Sequence, residues 1–202
     1  MAYAPRCCPR GSLSSEAFYA TQPPLRWSEN YHVSPTVIRN MEQGLGLKKQ
    51  IQSVLDCNRF AVLATQRSGQ PHTSLMAFSP VRGIRYLVFA TYRRTLKYRS
   101  LLTDARMALL IDGQNREGTR PNSGFVLTAL GEAIEIPEAD RQAAVCIHLA
   151  RHPDLQEFLR SPDCALMRVT VAAYEVVGGI DDVRWYQVQD HPCDPLASML
   201  QP

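Results

Sequence analysis

Between residues 59 and 136, short runs of apolar, branched and aromatic residues recur, each ended by a turn signal. That rhythm restricts the chain to a mainly antiparallel sheet. The run from Arg59 to Thr65 (RFAVLAT) is followed by Arg67-Ser68-Gly69 and then by His72 to Phe78 (HTSLMAF). Two β-prone runs around a short glycine-containing turn predict a hairpin. Pro80 to Gly83 marks a second turn before Arg85 to Thr91 (RYLVFAT), a third strand, and Met107 to Ile111 reads as a fourth. Phe125 to Ile136 is a longer strand candidate, Cys164 to Val177 alternates as another, and Gly178-Gly179 separates it from a last strand over Val183 to Val188.

Helical patterns are inserted between these runs. Leu47, Ile51, Val54 and Leu55 recur at i, i+4, i+7 and i+8, which puts them on one face of a helix ending near Asp56. Thr95 to Thr103 reads as a short helix. Pro137, welcome in a first helical turn, opens another that runs to about Leu149, and His152 to Leu159 suggests a further short one. Several antiparallel strands with inserted helices favour a closed or partly closed barrel, because closure removes exposed edges. The expected organisation is an extended arm over 1–40, rich in Pro5, Pro9, Pro23, Pro24 and Pro35, a barrel domain over 41–188, and a tail over 189–202. The loop from Asp112 to Ser123 is long enough to cover a site.

Composition narrows the function. The chain has 202 residues, long enough for one sizeable core, and is 45% hydrophobic with no apolar run near the ~20 residues of a membrane helix. No membrane span is expected. A net charge of +3 implies no general attraction to nucleic acid and leaves room for a local anion site, so the expected partner is small. The six cysteines show no C-x-x-C spacing and read as free thiols. Pro5, Arg6, Pro9 and Arg10 interrupt any secretory leader, and Glu16 and Glu29 argue against a transit peptide, which points to the cytoplasm.

The stretch from Phe89 to Arg99 (FATYRRTLKYR) carries the most chemistry. A strand runs into a turn with Arg93, Arg94 and Thr95, and a helix opens with Lys97 in its first turn. Helix N-termini present unpaired N–H groups and partial positive charge, so hydroxyls and cations there suit a phosphate. Composition alone favours a solvated basic helix face over such a site.

The order of the strand Phe60 to Thr65, the return strand Gly69-Gln70-Pro71-His72-Thr73-Ser74, Phe89-Ala90-Thr91, Thr95-Leu96-Lys97 and Asp104 to Leu110 (DARMALL) resembles the pyridoxamine 5′-phosphate oxidase-related FMN-binding proteins over residues 41 to 136. The resemblance implies an FMN-binding split β-barrel, antiparallel and Greek-key-like with peripheral helices, working as a homodimer with FMN at the subunit interface. It implies that main-chain groups of Ser74, Leu75, Met76 and Ala77 meet the flavin ring. It further implies that Ala90, Thr91, Thr95 and Lys97, assisted by Arg94, hold the ribityl phosphate. Asn115 and Arg116, or Arg184 and Trp185, are expected to close over the partner's flavin.

Two departures bear on substrate. The family's true oxidases hold substrate with Arg and His in a C-terminal segment, where this chain has Asp181-Asp182-Val183-Arg184-Trp185. Ser74 stands where they carry a flavin-contacting Arg. Oxidation of a pyridoxine phosphate is therefore not implied. An FMN-dependent oxidoreductase stays beside a non-catalytic flavin, deazaflavin or haem carrier or sensor. His148 and His152, four apart without a neighbouring Glu, read as two surface histidines and not as a metal site, so no metal is expected. Asp181-Asp182 reads as a solvated turn.

Overall fold

The computed structural model describes residues 44–188 except Arg82, residues 114–123 and Ile180, so the expected arm and tail, with Asn115 and Arg116, lie outside the described residues. In chain order the elements are α1 (Gly44–Cys57), β1 (Phe60–Arg67), β2 (Gln70–Val81), β3 (Tyr86–Tyr92), α2 (Leu96–Thr103), β4 (Arg106–Asp112) and β5 (Val126–Glu135). There follow α3 (Glu138–Arg151), a 3-10 turn (Pro153–Leu155), α4 (Gln156–Arg160), β6 (Cys164–Gly179) and β7 (Asp182–Gln187). The expected mainly β fold is present, with β2 three residues longer at its end than its apolar run suggested.

The β1–β2 hairpin closes through Ser68 and Gly69, at φ 50° and 79°. Both central residues are left-handed, the combination whose twist matches that of the strands it joins. Ser68 tolerates this conformation at a cost; Gly69 adopts it freely. The strand order is β3-β2-β1-β4-β5-β6-β7, and β3 also pairs with β6, so six strands form a ring and β7 flanks it.

Alternation then fills the ring. Leu63, Leu109, Ala129 and Tyr174 are successive cross-strand partners, all fully buried, on the inner face. The period-2 geometry of strands places their neighbours outside. Leu47, Ile51, Val54 and Leu55 of α1 and Tyr98 and Leu101 of α2 join this inner cluster. A second cluster lies outside the ring, where Ala144 of α3 and Leu159 of α4 cover Val81, Tyr86, Val88, Cys164 and Leu166.

β6 is buried on both faces over Cys164–Val169 because it separates these two layers. One of its edges serves two partners. β3 pairs with it up to Thr170 and β7 takes over from Ala173. Val171 N–H still donates to the Arg85 carbonyl, while the Ala172 carbonyl already accepts from Val188 N–H. The β5–β6 register shifts between Leu130 and Gly131, a bulge that moves the inward position from Val171 to Tyr174. Tyr174 satisfies its buried hydroxyl by donating to the Ile84 carbonyl at 2.6 Å.

Gly131 sits at this shift, and a Cβ there would stand 2.2 Å from the Thr170 carbonyl oxygen. The obstacle is backbone and cannot rotate away. Gly131→Ala is expected to lower the unfolding free energy by about 2–3 kcal/mol, read as a reduced urea midpoint at unchanged slope.

Candidate functional site

The ring opens where β2 and β3 part. Their ladder ends at Phe78 opposite Phe89. Beyond that pair β2 continues beside β1, with Ala77, Met76, Leu75 and Ser74 opposite Phe60, Ala61, Val62 and Leu63. β3 continues beside β6 through Ala90, Thr91 and Tyr92. Phe78 N–H points at β1, where it donates to the Arg59 carbonyl at 3.2 Å. Since main-chain groups alternate sides along a strand, those of Ala77 and Leu75 point the other way, into the opening. By the same alternation, Ser79 and Val88 face each other in the β2–β3 ladder, so Ala90 turns its main-chain groups to the opening from the opposite bank.

The side chains divide by parity. Met76 is buried in the ring and Ser74 is half-buried on the same face, whereas Leu75 is 72% exposed on the outside. Of the four expected ring-contacting residues, Leu75 and Ala77 turn their main-chain groups to the opening. Ser74 and Met76 have theirs engaged in the hairpin.

At the far end of β3 a hydroxyl chain leads into α2. Thr91 Oγ1 lies 3.0 Å from Thr95 Oγ1, and Thr95 Oγ1 donates to the Tyr92 carbonyl at 2.8 Å. Thr95 is the N-cap of α2, its side chain accepting from Tyr98 N–H. Lys97 follows in the first turn. Its ammonium is half-buried, desolvation pushes its pKa down, and no carboxylate pairs with it among the described residues. A cation removed from water without a partner is unstable unless an anion joins it.

The neighbouring arginines are already committed. Arg93 bonds the Glu135 carboxylate and donates to the Pro162 carbonyl at 2.8 Å. Glu135 also accepts from the Tyr98 hydroxyl. Burial alone would disfavour its charge, but Tyr98 and Arg93 outweigh burial and hold Glu135 below the ordinary carboxylate range. Arg94 pairs with Asp163 at 2.8 Å and its guanidinium lies 4.2 Å from the Tyr92 ring centroid. The structure therefore brings Ala90, Thr91, Thr95 and Lys97 to the junction of β3 and α2, with Arg94 beside them in an ion pair with Asp163.

Arg184 and Trp185 stand elsewhere in the chain. Trp185 is level with Glu175 on β6, whereas Thr91 is level with Ala165, ten residues and ~33 Å of strand away. Arg184 pairs with Asp182 at 3.1 Å, donates to Gln50 Oε1 at 3.3 Å and stacks on Phe125. His148 and His152, expected on the surface, are 0% and 1% exposed. Their burial comes from β2, some seventy residues back, which no local pattern reveals.

The family model described as pyridoxamine 5′-phosphate oxidase matches residues 47–178, about two thirds of the chain and nearly all of the described ring. The chain belongs to this family. Among curated proteins none matches it in sequence. Solved structures share its fold at low identity. A heme-binding protein from Mycobacterium smegmatis superposes with a TM-score of 0.61 at 21% identity, over 69% of this chain and 57% of that one. A putative pyridoxamine 5′-phosphate oxidase from Listeria innocua gives 0.52 at 17%, over 66% and 99%. A FAD-binding protein from Mesorhizobium loti gives 0.51 at 13%, over 62% and 90%. The chain thus spans a little over half of the mycobacterial protein. No helix among the described residues is long and apolar enough to cross a membrane.

The cap and the cation of this turn should separate on substitution. In the ligand-free protein Thr95→Ala is expected to cost about 1 kcal/mol of unfolding free energy through loss of the cap. Lys97→Met, which keeps the aliphatic stem and removes a partly desolvated charge with no carboxylate partner among the described residues, is expected to leave stability unchanged or raise it. Urea denaturation of both variants reads the two signs.

Proposed function

We propose that this family member is an FMN-binding flavoprotein, a cytoplasmic homodimer that acts as an oxidoreductase on a small molecule. The observation that carries the reading is Lys97: a half-buried ammonium without a carboxylate among the described residues, in the first turn of a helix whose cap is Thr95, beside an open strand edge. A phosphate monoester supplies the missing charge, and Lys97 with the Thr95 and Thr91 hydroxyls supplies charge-assisted and neutral hydrogen bonds to it. The main-chain groups of Leu75, Ala77 and Ala90 present donors and acceptors along the opening, which suits the pyrimidine edge of a flavin. Bound FMN supplies hydride or electron transfer; the protein binds, orients and shields it.

The titratable groups nearest the turn, Glu135, Tyr98 and Arg93, are bonded to one another. They shape the turn and are not themselves poised for acid or base work. Substrate selection then falls to residues across a subunit interface. Val62 lies between Leu75 on β2 and Leu110 on β4, and this outward row is apolar, with Leu75 72%, Leu110 42% and the nearby Phe60 54% exposed. A second copy against this face would cover it, and offers a place for the partner's Arg184 and Trp185 over the opening.

Haem is the second reading, favoured by the mycobacterial neighbour. Among the described residues His148 and His152 are buried and hydrogen-bonded, which leaves the half-buried His72 as a ligand candidate. The visible spectrum of the purified protein, with FMN added if it is colourless, separates the readings: flavin bands are expected, and a Soret band or no uptake of FMN contradicts the proposal. Bleaching by a reduced nicotinamide, with turnover in air, marks the enzyme; an inert flavin marks a carrier or sensor.

Thr95→Ala together with Lys97→Ala is expected to weaken FMN binding by about 2–4 kcal/mol, roughly 30- to 1,000-fold in Kd by fluorescence titration. Leu75→Glu is expected to shift the protein from dimer to monomer in sedimentation velocity while leaving it folded, since the exposed side chain contributes little to the monomer's own core.

A further inference from the structure

His148 and His152 take no part in the site described above. They lie on successive turns at the end of α3, with ring centroids 4.8 Å apart, and both are buried between that helix and β2. The hydrogen bonds of His152 and the burial of His148 select the neutral forms. His152 Nε2 is 2.8 Å from the Phe78 carbonyl, so Nε2 carries the proton and donates. His152 Nδ1 faces Arg59 Nη2 at 3.5 Å, and a guanidinium can only donate. A second proton on this ring would set donor against donor. His148 Nδ1 shares a hydrogen bond with Ser79 Oγ at 2.9 Å, and its Nε2 is buried without a partner among the described residues. A charge on His148 would be buried beside a second imidazole.

The groups around the pair do not compensate. From the start of β1 comes Arg59, paired with Asp154 of the 3-10 turn at 3.3 Å, a contact exposed to solvent. From α3 comes Arg151, whose guanidinium donates to the carbonyls of Leu55, Asp56 and Asn58 and so binds the end of α1. Asp56 and Cys57 lie at that end of α1; β2 brings the Ser79 hydroxyl and the Phe78 carbonyl. Two arginines flank the histidines. Burial first, then the charge of His152, pushes His148 down to about 4 from 6.5, and burial likewise lowers His152.

We infer that residues 137–163, the flap formed by α3 and α4, are an acid-released clasp, shut over β2 and β3 while both histidines are neutral and opened when they take up protons. The flap can open alone because its apolar contacts form the outer cluster, separate from the interior of the ring. In the open form the imidazoles meet water and return toward 6.5. The open form therefore binds more protons below that pH. The clasp has its full strength above about 6.5 and loses it as the pH falls below that, at up to roughly tenfold in the opening equilibrium per pH unit for His148 down to about 4, with His152 adding in the same direction. The inference does not depend on which cofactor the protein holds.

Hydrogen exchange of the full chain, read by mass spectrometry and corrected for the intrinsic pH dependence of exchange, tests it. Between pH 6.5 and 4.5, peptides within residues 138–160 are expected to lose at least about tenfold in protection while those within 107–111 and 127–133 keep theirs. A His148→Gln/His152→Gln variant is expected to lose that pH dependence. Unchanged flap protection in the natural protein, simultaneous loss in flap and ring, or the same acid response in the variant would each overturn the clasp; the last would assign the response to carboxylates such as Asp154 or Asp163. Should the variant not fold, imidazole proton resonances of the natural protein decide. Titration of both rings together with flap opening supports the clasp, and titration near 6.5 with the flap still protected overturns it.

Discussion

Seven antiparallel pairs between β3 and β6, from Tyr86 opposite Thr170 to Tyr92 opposite Cys164, turn an open sheet into a ring. Without them both strands would present long apolar edges, and the inner cluster around Leu63, Phe78, Phe89 and Met167 would lose a wall. The same ladder draws β3 away from β2 beyond Phe78 and Phe89. Closure on one side of β3 is thus what opens the other, and the candidate groove is the geometric remainder of a short strand shared between two neighbours. A strand cannot pair fully with β2 and β6 when those two diverge.

At the mouth of that groove, charge is distributed unevenly. Three cations fall within five residues, yet Arg93 is satisfied by Glu135 and Arg94 by Asp163, while Lys97 has no carboxylate among the described residues. The two arginines brace the turn, and bracing fixes where the lysine and the Thr95 cap stand. A site that is to bind an anion must keep at least one cation unsatisfied, which lowers the stability of the empty protein. In the proposed site the bracing falls to the two arginines and the unsatisfied charge to Lys97, while Thr95 serves both as cap and as phosphate contact.

What was legible in the sequence follows from how local each feature is. The hairpin turn at Ser68-Gly69, the apolar runs that became β1, β4 and β5, and the short helix after Thr95 are written in neighbouring residues, and the family resemblance rests on those same segments. The handover at Ala172 from β3 to β7 was not legible, because it depends on two distant strands meeting one edge, and neither was the bulge that makes Gly131 indispensable. The pairing of Arg93 with Glu135, forty-two positions later, was equally hidden, since nothing near Arg93 in the sequence announces it. His148 and His152 showed a spacing ordinary on a solvated helix. Only the packing of α3 on β2 makes them interior, and burial then removes the charge that a surface position would have allowed.

The flap joins these separate features mechanically. At one end it is fixed by the histidines, by Arg151 on the carbonyls closing α1, and by Arg59 on the Arg151 carbonyl at 3.0 Å. At the other end Arg93 N–H donates to the Asp163 carbonyl at 2.9 Å, Arg93 reaches the Pro162 carbonyl, and Tyr92 meets Phe158 edge-on at 4.6 Å. The turn that carries Thr95 and Lys97 is therefore held from behind by α4 and the residues that follow it. Hydrogen bonds to main-chain atoms fix position more firmly than a solvent-exposed ion pair such as Arg94 with Asp163. The position of the turn that carries Thr95 and Lys97 consequently depends on this helical layer, and whatever loosens the layer acts on the candidate site through the backbone of residues 162 and 163.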